Sequence, residues 1–218
     1  MRAFGDVQAL VFDVFGTIVD WRSGVARESA AFLARYAPGA DPAAFADAWR
    51  HRYSPAMEEV RSGRRPFVRL DALLKENLEA ALPEFGINPA AIPPSELDAL
   101  NLAWHRLDPW PDSVPGLTRL KSRFTWDAIL GAEVAQAYKP SPQAYLRTVE
   151  TLMLEPERVC LVAAHNNDLA AARRCGLRTA FVPRPIEHGP DQTTDLEAEE
   201  DWDAAASDLE DLAGRLGL

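Results

Sequence analysis

The chain has 218 residues, 47% of them apolar, with 23 Lys and Arg against 33 Asp and Glu. That length builds one domain with an insertion, or two small ones, around a real hydrophobic core. A formal net charge of −10 argues against nucleic acid or an anionic membrane as a partner, and no apolar run approaches the ~20 residues of a membrane span.

The opening MRAFGDVQ has no apolar stretch of signal-peptide length. Val7-Gln-Ala-Leu-Val-Phe12 is short, mostly apolar and rich in strand formers. It reads as a buried parallel strand that opens into a loop at Asp13, Gly16 and Thr17. From Ser23 to Trp104 helical periodicity takes over. Val25, Ser29, Phe32, Leu33 and Tyr36 share one stripe. Asp41-Pro42 opens the next helix, with proline in its favoured first-turn position, and that helix carries Phe45, Ala48, Trp49 and Tyr53. A third helix is expected over about Phe67 to Leu82, and a fourth from Ser95, a plausible N-cap. No strand pattern interrupts this block.

Pro109, Pro111 and Pro115 mark the return to the main domain. Next come strand-like Ala128-Ile-Leu130, a helix from Pro142 to Met153, and a strand at Val159 to Ala163. A helix from Asn167 to Cys175 closes on Gly176, a suitable C′ residue, and a strand follows at Thr179 to Val182. The acidic stretch Asp195 to Asp203 reads as solvated surface, and a last helix runs from Ala204 to about Leu216. Cys160, inside the apolar run VCLVAA, and Cys175, at a helix end, read as packing residues. They show neither metal-ligand spacing nor a disulfide framework, so a reducing cytoplasm is the expected setting. The alternation of strand and helix predicts an α/β fold, a doubly wound parallel sheet. The expected core is 1–19 with 108–218, and 20–107 is an inserted all-helical cap.

The strongest chemical motif is FDVFGT, Phe12 to Thr17. An Asp at the carboxyl end of a buried strand sits where α/β sheets bind ligands. Gly16 permits a tight turn, and Thr17 can hydrogen-bond back across it. On spacing alone, Asp13 as a turn or helix cap is equally admissible.

Phe12-Asp-Val-Phe-Gly-Thr-Ile-Val-Asp20 resembles the first motif of the haloacid dehalogenase superfamily. Lys139, in Ala137-Tyr-Lys-Pro140, resembles its third motif, and Asp168, in His165-Asn-Asn-Asp168, its fourth. The nearest branch is that of the 2-haloacid dehalogenases. The resemblance implies a Rossmann-like hydrolase core, and Asp13 as a covalent nucleophile that Lys139 keeps ionised. Thr17 would help to polarise the resulting ester. Arg50 would receive the halide, although helical spacing alone allows a surface arginine. Tyr145 matches a tyrosine of the family site, or is a packing aromatic. Phe15, Trp49 and Phe67 could form a dry wall round the carbon–halogen bond, or simply pack. His165 departs from the family pattern. It is either a structural histidine or a group that activates the hydrolytic water, oriented by Asp168 or Asp20. Arg22 and His188 are further candidates, and His51 and His105 read as cap surface or packing.

Phosphatases of the superfamily place a second Asp two positions after the nucleophile, where this chain has Phe15. Halide leaves without protonation, so a dehalogenase needs no metal and no cofactor. The expected substrate is a small 2-halo carboxylate, and a homodimer is suggested by resemblance alone. The alternatives are a metal-dependent phosphate or phosphonate hydrolase, or an impaired remnant.

The last alternative arises from a gap. In the resembled family the helix matching Leu117 to Phe124 leads into a strand that ends in a Ser-Asn or Thr-Asn pair, the second motif. A further helix and loop precede the segment matching Trp126 to Glu133. Here that strand and helix, about two dozen residues, are absent. If Phe124–Leu130 does not slide into the vacancy, a central sheet layer stays open.

Overall fold

In the computed structural model, residues 4–124 and 128–218 are described. Taken in chain order, the strands and α-helices are β1 (Ala9–Phe12), α1 (Trp21–Tyr36), α2 (Pro42–His51), α3 (Tyr53–Arg61), α4 (Leu70–Ala81), α5 (Pro94–Asn101), α6 (Ser113–Leu120), α7 (Ala132–Ala135), α8 (Pro142–Thr151), β2 (Val159–Ala163), α9 (Asn166–Arg174), β3 (Arg178–Phe181), β4 (Ala204–Ala205) and α10 (Leu209–Arg215). The chain divides into two compact units, Met1–Asp20 with Pro109–Leu218, and Trp21–Asp108.

The first unit is built on a parallel sheet of order β1-β2-β3-β4. Side chains alternate across a strand, and the two faces of β2 show it. Val159, Leu161 and Ala163 pack with Tyr145 and Val149 of α8 and with Leu169 and Ala172 of α9. Cys160 and Val162 pack with Phe124 and with Leu209 and Leu212 of α10, and Leu117 of α6 lies against the same cluster. Helices therefore cover both faces, as the alternating pattern predicts. Burial pushes the Cys160 thiol well up, and the Cys175 thiol up too. Both cysteines are unpaired packing residues with little thiolate character.

In three places this unit departs from what the residue pattern predicts. β1 is only half-buried along its length, whereas β2 is buried throughout, because among the described residues β1 ends the strand order. Ala128–Leu130 forms no strand, and Ile129 is 99% exposed. An apolar triplet with no strand beside it has no ladder in which to place its backbone groups. The slide of Phe124–Leu130 into the vacancy is therefore not made by 128–130, while 125–127 lie outside the described residues. Ala204–Ala205 is strand rather than helix, pairing with Ala180 and Phe181, and α10 starts only after Asp208, whose carboxylate caps it at Asp211 N (2.7 Å). Tertiary pairing overrides the helix propensity of alanine here.

The acidic stretch before β4 is also more than solvated surface. Buried Trp202 donates to Asn166 Oδ1 (2.9 Å), Asp195 accepts from Asn166 N (2.7 Å), and Asp203 accepts from Thr179 N (3.0 Å).

The second unit contains α-helices, 3-10 turns and loops. Trp21, Val25, Ser29 and Leu33 of α1 are buried, and Phe45 and Trp49 of α2 are fully so. Asp41 caps α2 at Ala43 N (3.0 Å), with Pro42 in the first turn. Tyr53 belongs to a separate helix, α3, and α4 begins at Leu70, three residues after Phe67. The last helix, α5, is entered through Pro93 and Pro94, and Ser95 does not cap it.

Candidate active site

Asp13 follows β1 directly and is tied to the end of β2 by its own amide, which donates to Val162 O (3.0 Å). The chain then reverses, with Ile18 N donating to Val14 O (2.9 Å) and Gly16 at φ +91°. Buried Thr17 bridges the two strand ends: its hydroxyl donates to Asp13 Oδ2 (2.9 Å) and accepts from Ala164 N (2.9 Å). The 109–113 segment braces this loop from outside. Trp110 Nε1 donates to Gly16 O (2.7 Å) and Ser113 Oγ to Ile18 O (2.7 Å). Buried Arg184 donates to Thr17 O (2.9 Å) and grips Asp112 with both Nη atoms (2.6 and 2.9 Å). A bidentate, desolvated pair of this kind fixes geometry.

Around the Asp13 carboxylate the charges alternate. Lys139 Nζ lies 3.2 Å from Asp13 Oδ1 and 2.6 Å from Asp168 Oδ2. Asp168, in the first turn of α9, also accepts from the Tyr145 hydroxyl (2.6 Å). On the other side, His165 Nδ1 lies 3.3 Å from Asp13 Oδ2, and its Nε2 lies 2.8 Å from Glu187 Oε2. Glu187 is 1% exposed, and His188 Nε2 stands 3.6 Å from its other oxygen.

These contacts set the protonation states. Burial by itself would raise the Asp13 carboxyl, but Lys139, His165 and the Thr17 hydroxyl hold it well below the usual carboxylate range. Burial opposes the Lys139 charge too, yet Asp13 and Asp168 push the ammonium above the ordinary lysine range. Burial and then Asp168 raise the Tyr145 phenol, which stays protonated and donating. Against the cost of burial, Asp13 and Glu187 push His165 up to about 10. The site thus presents an ionised carboxylate pinned by two cations and a hydroxyl, with Phe15 half-buried in the same loop.

Asp13, Thr17, Lys139, Tyr145, His165 and Asp168 are therefore brought together. The carboxylate on His165 Nε2 is Glu187, in place of the expected Asp168 or Asp20. Asp168 engages its two oxygens with Lys139 and Tyr145. Sequence reading missed Glu187 because nothing local distinguishes it. Its one signal is His165 itself, a charged side chain at a buried strand end that requires a counterion. Asn166 is a packing hub: its side-chain nitrogen donates to Asp195 (2.9 Å) and to Glu197 O (3.0 Å). Asn167 is exposed.

The remaining candidates lie in the helical unit. Trp49 is fully buried in that unit's core, its indole N–H donated to Leu74 O (2.8 Å) and its ring edge-on to Trp104. Phe67 is half-buried in the loop before α4. Arg50 stacks over the Tyr53 ring at 4.0 Å and near that of Trp21 at 5.3 Å, and its buried Nη1 has no hydrogen-bond partner among the described residues. Arg22 is paired with Asp47 (2.8 Å). His51 is exposed, and so is His105, which pairs with Asp71 (2.9 Å).

The family model described as haloacid dehalogenase-like hydrolase matches residues 112–182. The fold superposes on the defluorinating L-2-haloacid dehalogenase Rha0230 with a TM-score of 0.94 and 48% identity, covering 97% of this chain and 96% of that one. For the L-2-haloacid dehalogenase PA0810 the TM-score is 0.90 and the identity 41%, covering 97% and 99%. The (S)-2-haloacid dehalogenase 4A of Burkholderia cepacia is 25% identical over 203 residues, 82% of this chain and 84% of that protein. Because 82% of 218 residues falls short of 203, that alignment opens gaps in this chain, in keeping with a segment it lacks.

Proposed function

The chain belongs to the haloacid dehalogenase-like hydrolases, and from that premise we propose that it hydrolyses small 2-haloalkanoic acids through an ester on Asp13. The observation that carries the reading is the Asp13 carboxylate itself, ionised beside Lys139 (3.2 Å) and Thr17 (2.9 Å), with a phenylalanine where a phosphatase needs an acid.

Asp13 attacks C2 in line, and halide departs with the bonding pair. Water then cleaves the ester at its carbonyl carbon. C2 is attacked once and inverts, so an L-2-halo acid gives a D-2-hydroxy acid. Thr17 and Lys139 polarise the ester in this reading, which their contacts with Asp13 support. Arg50 is proposed as the halide acceptor. A buried guanidinium N–H with no hydrogen-bond partner among the described residues is the kind of group a small anion satisfies. The defluorinating relative extends the proposed halogens to fluorine. His165 is the proposed base for the hydrolytic water.

The phosphate-ester alternative is less well supported. Lys139 bridges the Asp13 and Asp168 carboxylates, the two oxygen donors that a Mg²⁺ site would require. No metal or cofactor is assigned a role. Among the described residues no helix is long and apolar enough to cross a membrane, and a cytoplasmic location and a homodimer belong to this reading only as proposals.

A single turnover of L-2-chloropropionate in water enriched in heavy oxygen tests the proposal. Label should enter the Asp13 side chain, and halide release should be indifferent to chelator. Label passing straight to the hydroxy acid, with the protein left light, refutes it.

A further inference from the structure

We propose that Glu187 is the positioning residue for ester hydrolysis: it holds His165 by Nε2 with Nδ1 turned to the nucleophile, and loss of the Asp13 charge on alkylation releases Nδ1 to act as base. The inference rests on the aspartyl-ester reading above.

Glu187 is almost wholly buried, and a carboxylate is costly to bury without a partner. Space is cleared for it. A Cβ on Gly16 would fall 2.1 Å from Glu187 Oε1 and 2.3 Å from its Cδ, so the nucleophile loop admits this carboxylate only because residue 16 has no side chain. Its backbone is tied to the same loop. Glu187 N donates to Arg184 O (3.1 Å), and Arg184 donates to Thr17 O (2.9 Å). The groups facing His165 are Asp13, from the loop after β1, and Glu187, from the loop after β3. Behind them stand Lys139 on Asp13 and His188 at 3.6 Å from Glu187.

Between two carboxylates the imidazole holds both its protons, so the resting enzyme has a cation there and no base. Those two carboxylates push the imidazole up to about 10 against the cost of its burial. When the Asp13–C2 bond forms and the carbon–halogen bond breaks, Asp13 becomes a neutral ester and one of the two anions is gone. His165 then gives a proton to solvent. Water attacks the Asp13 carbonyl carbon and passes a proton to Nδ1, and the tetrahedral intermediate expels the product alkoxide. The alkoxide takes the proton of the new carboxyl group, which restores the Asp13 carboxylate beside a doubly protonated His165. The cycle balances to one halide and one proton released for each water consumed. The base thus becomes available only after the nucleophile has been used, and Glu187 keeps the ring in place throughout.

The test is Glu187→Gln in pre-steady-state kinetics. Expected are a full one-equivalent halide burst, ester adduct on the intact mass of the protein, and turnover slowed on the order of 10²-fold. The acid limb of ester decay should move down by about 1–3 pH units, because one stabilising anion has been removed, and Glu187→Asp should restore part of the rate. Unchanged turnover, or a slowed turnover without burst and with an unmoved pH profile, overturns the proposal. Nitrogen-15 histidine spectra give a measurement that does not depend on the folding of the Glu187 variant. His165 should titrate about one pH unit or more lower in Asp13→Asn, a neutral stand-in for the ester, than in wild type; equal titration in the two overturns the proposal. Failure of the ester reading would be seen separately, as absence of heavy-oxygen label in the wild-type protein.

Discussion

Gly16→Ala isolates the contact that builds the site. At φ +91° an alanine costs about 1–2 kcal/mol for its left-handed backbone. Its Cβ would also lie 2.1–2.6 Å from both oxygens and the Cδ of Glu187. The carboxylate must leave its seat, forfeiting a charged hydrogen bond to His165 worth about 1.5–3 kcal/mol. The expected loss is about 2.5–5 kcal/mol, a large share of the ~5–15 kcal/mol typical of a folded protein, or a fall in Tm of roughly 5–20 °C. Urea denaturation of wild type, Gly16→Ala, Glu187→Ala and the double variant measures it as a cycle. With Glu187 cut back, the methyl introduced at position 16 has room and only the backbone cost of about 1–2 kcal/mol should remain, so the two sites should couple by about 1.5–3 kcal/mol. Additive losses would refute the reasoning, since they would mean that the glycine serves the turn alone.

Two further outcomes follow from the same geometry. Lys139→Met removes the cation that, with His165, keeps Asp13 ionised against burial. Wild-type Asp13 lies below the usual carboxylate range, so it stays anionic through mildly acid pH. In the variant, the acid limb of single-turnover halide release should therefore move upward by about 1–3 pH units; a fixed limb would show that Lys139 does not set the nucleophile. Arg50→Ala should slow halide release in the first turnover on the order of 10²-fold or more while leaving decay of preformed ester unchanged, and equal slowing of both steps would remove Arg50 from the halide role.

Much of the core was legible in the residue order. Val159 to Ala163 is a strand with the predicted bounds, because a short, wholly apolar run of this length between turn signals suits a buried parallel strand. Asp13, Lys139 and Asp168 were readable because each lies in a short motif. Glu187 was not. It sits far along the chain from Asp13 in an undistinguished turn, and only the parallel pairing of β1 with β2 and of β2 with β3 brings the two loops side by side. For Trp49 the residue pattern left a site wall and simple packing both open. A helix stripe announces a buried face without saying what that face meets, and Trp49 turns out to fill the core of its own unit.

The residues alone determined the alternation of strand and helix, the place of Asp13 at the end of the first strand and the shortness of the 124–128 junction. These are local matters of periodicity, turn chemistry and count. Tertiary structure decided that, among the described residues, β1 and Ala204–Ala205 stand at the two ends of the strand order, and that a buried glutamate stands behind His165. Each of these depends on which distant segments share a hydrogen bond or a charge. That is set by the free energy of desolvating and pairing groups across the fold, and no neighbouring residue encodes it.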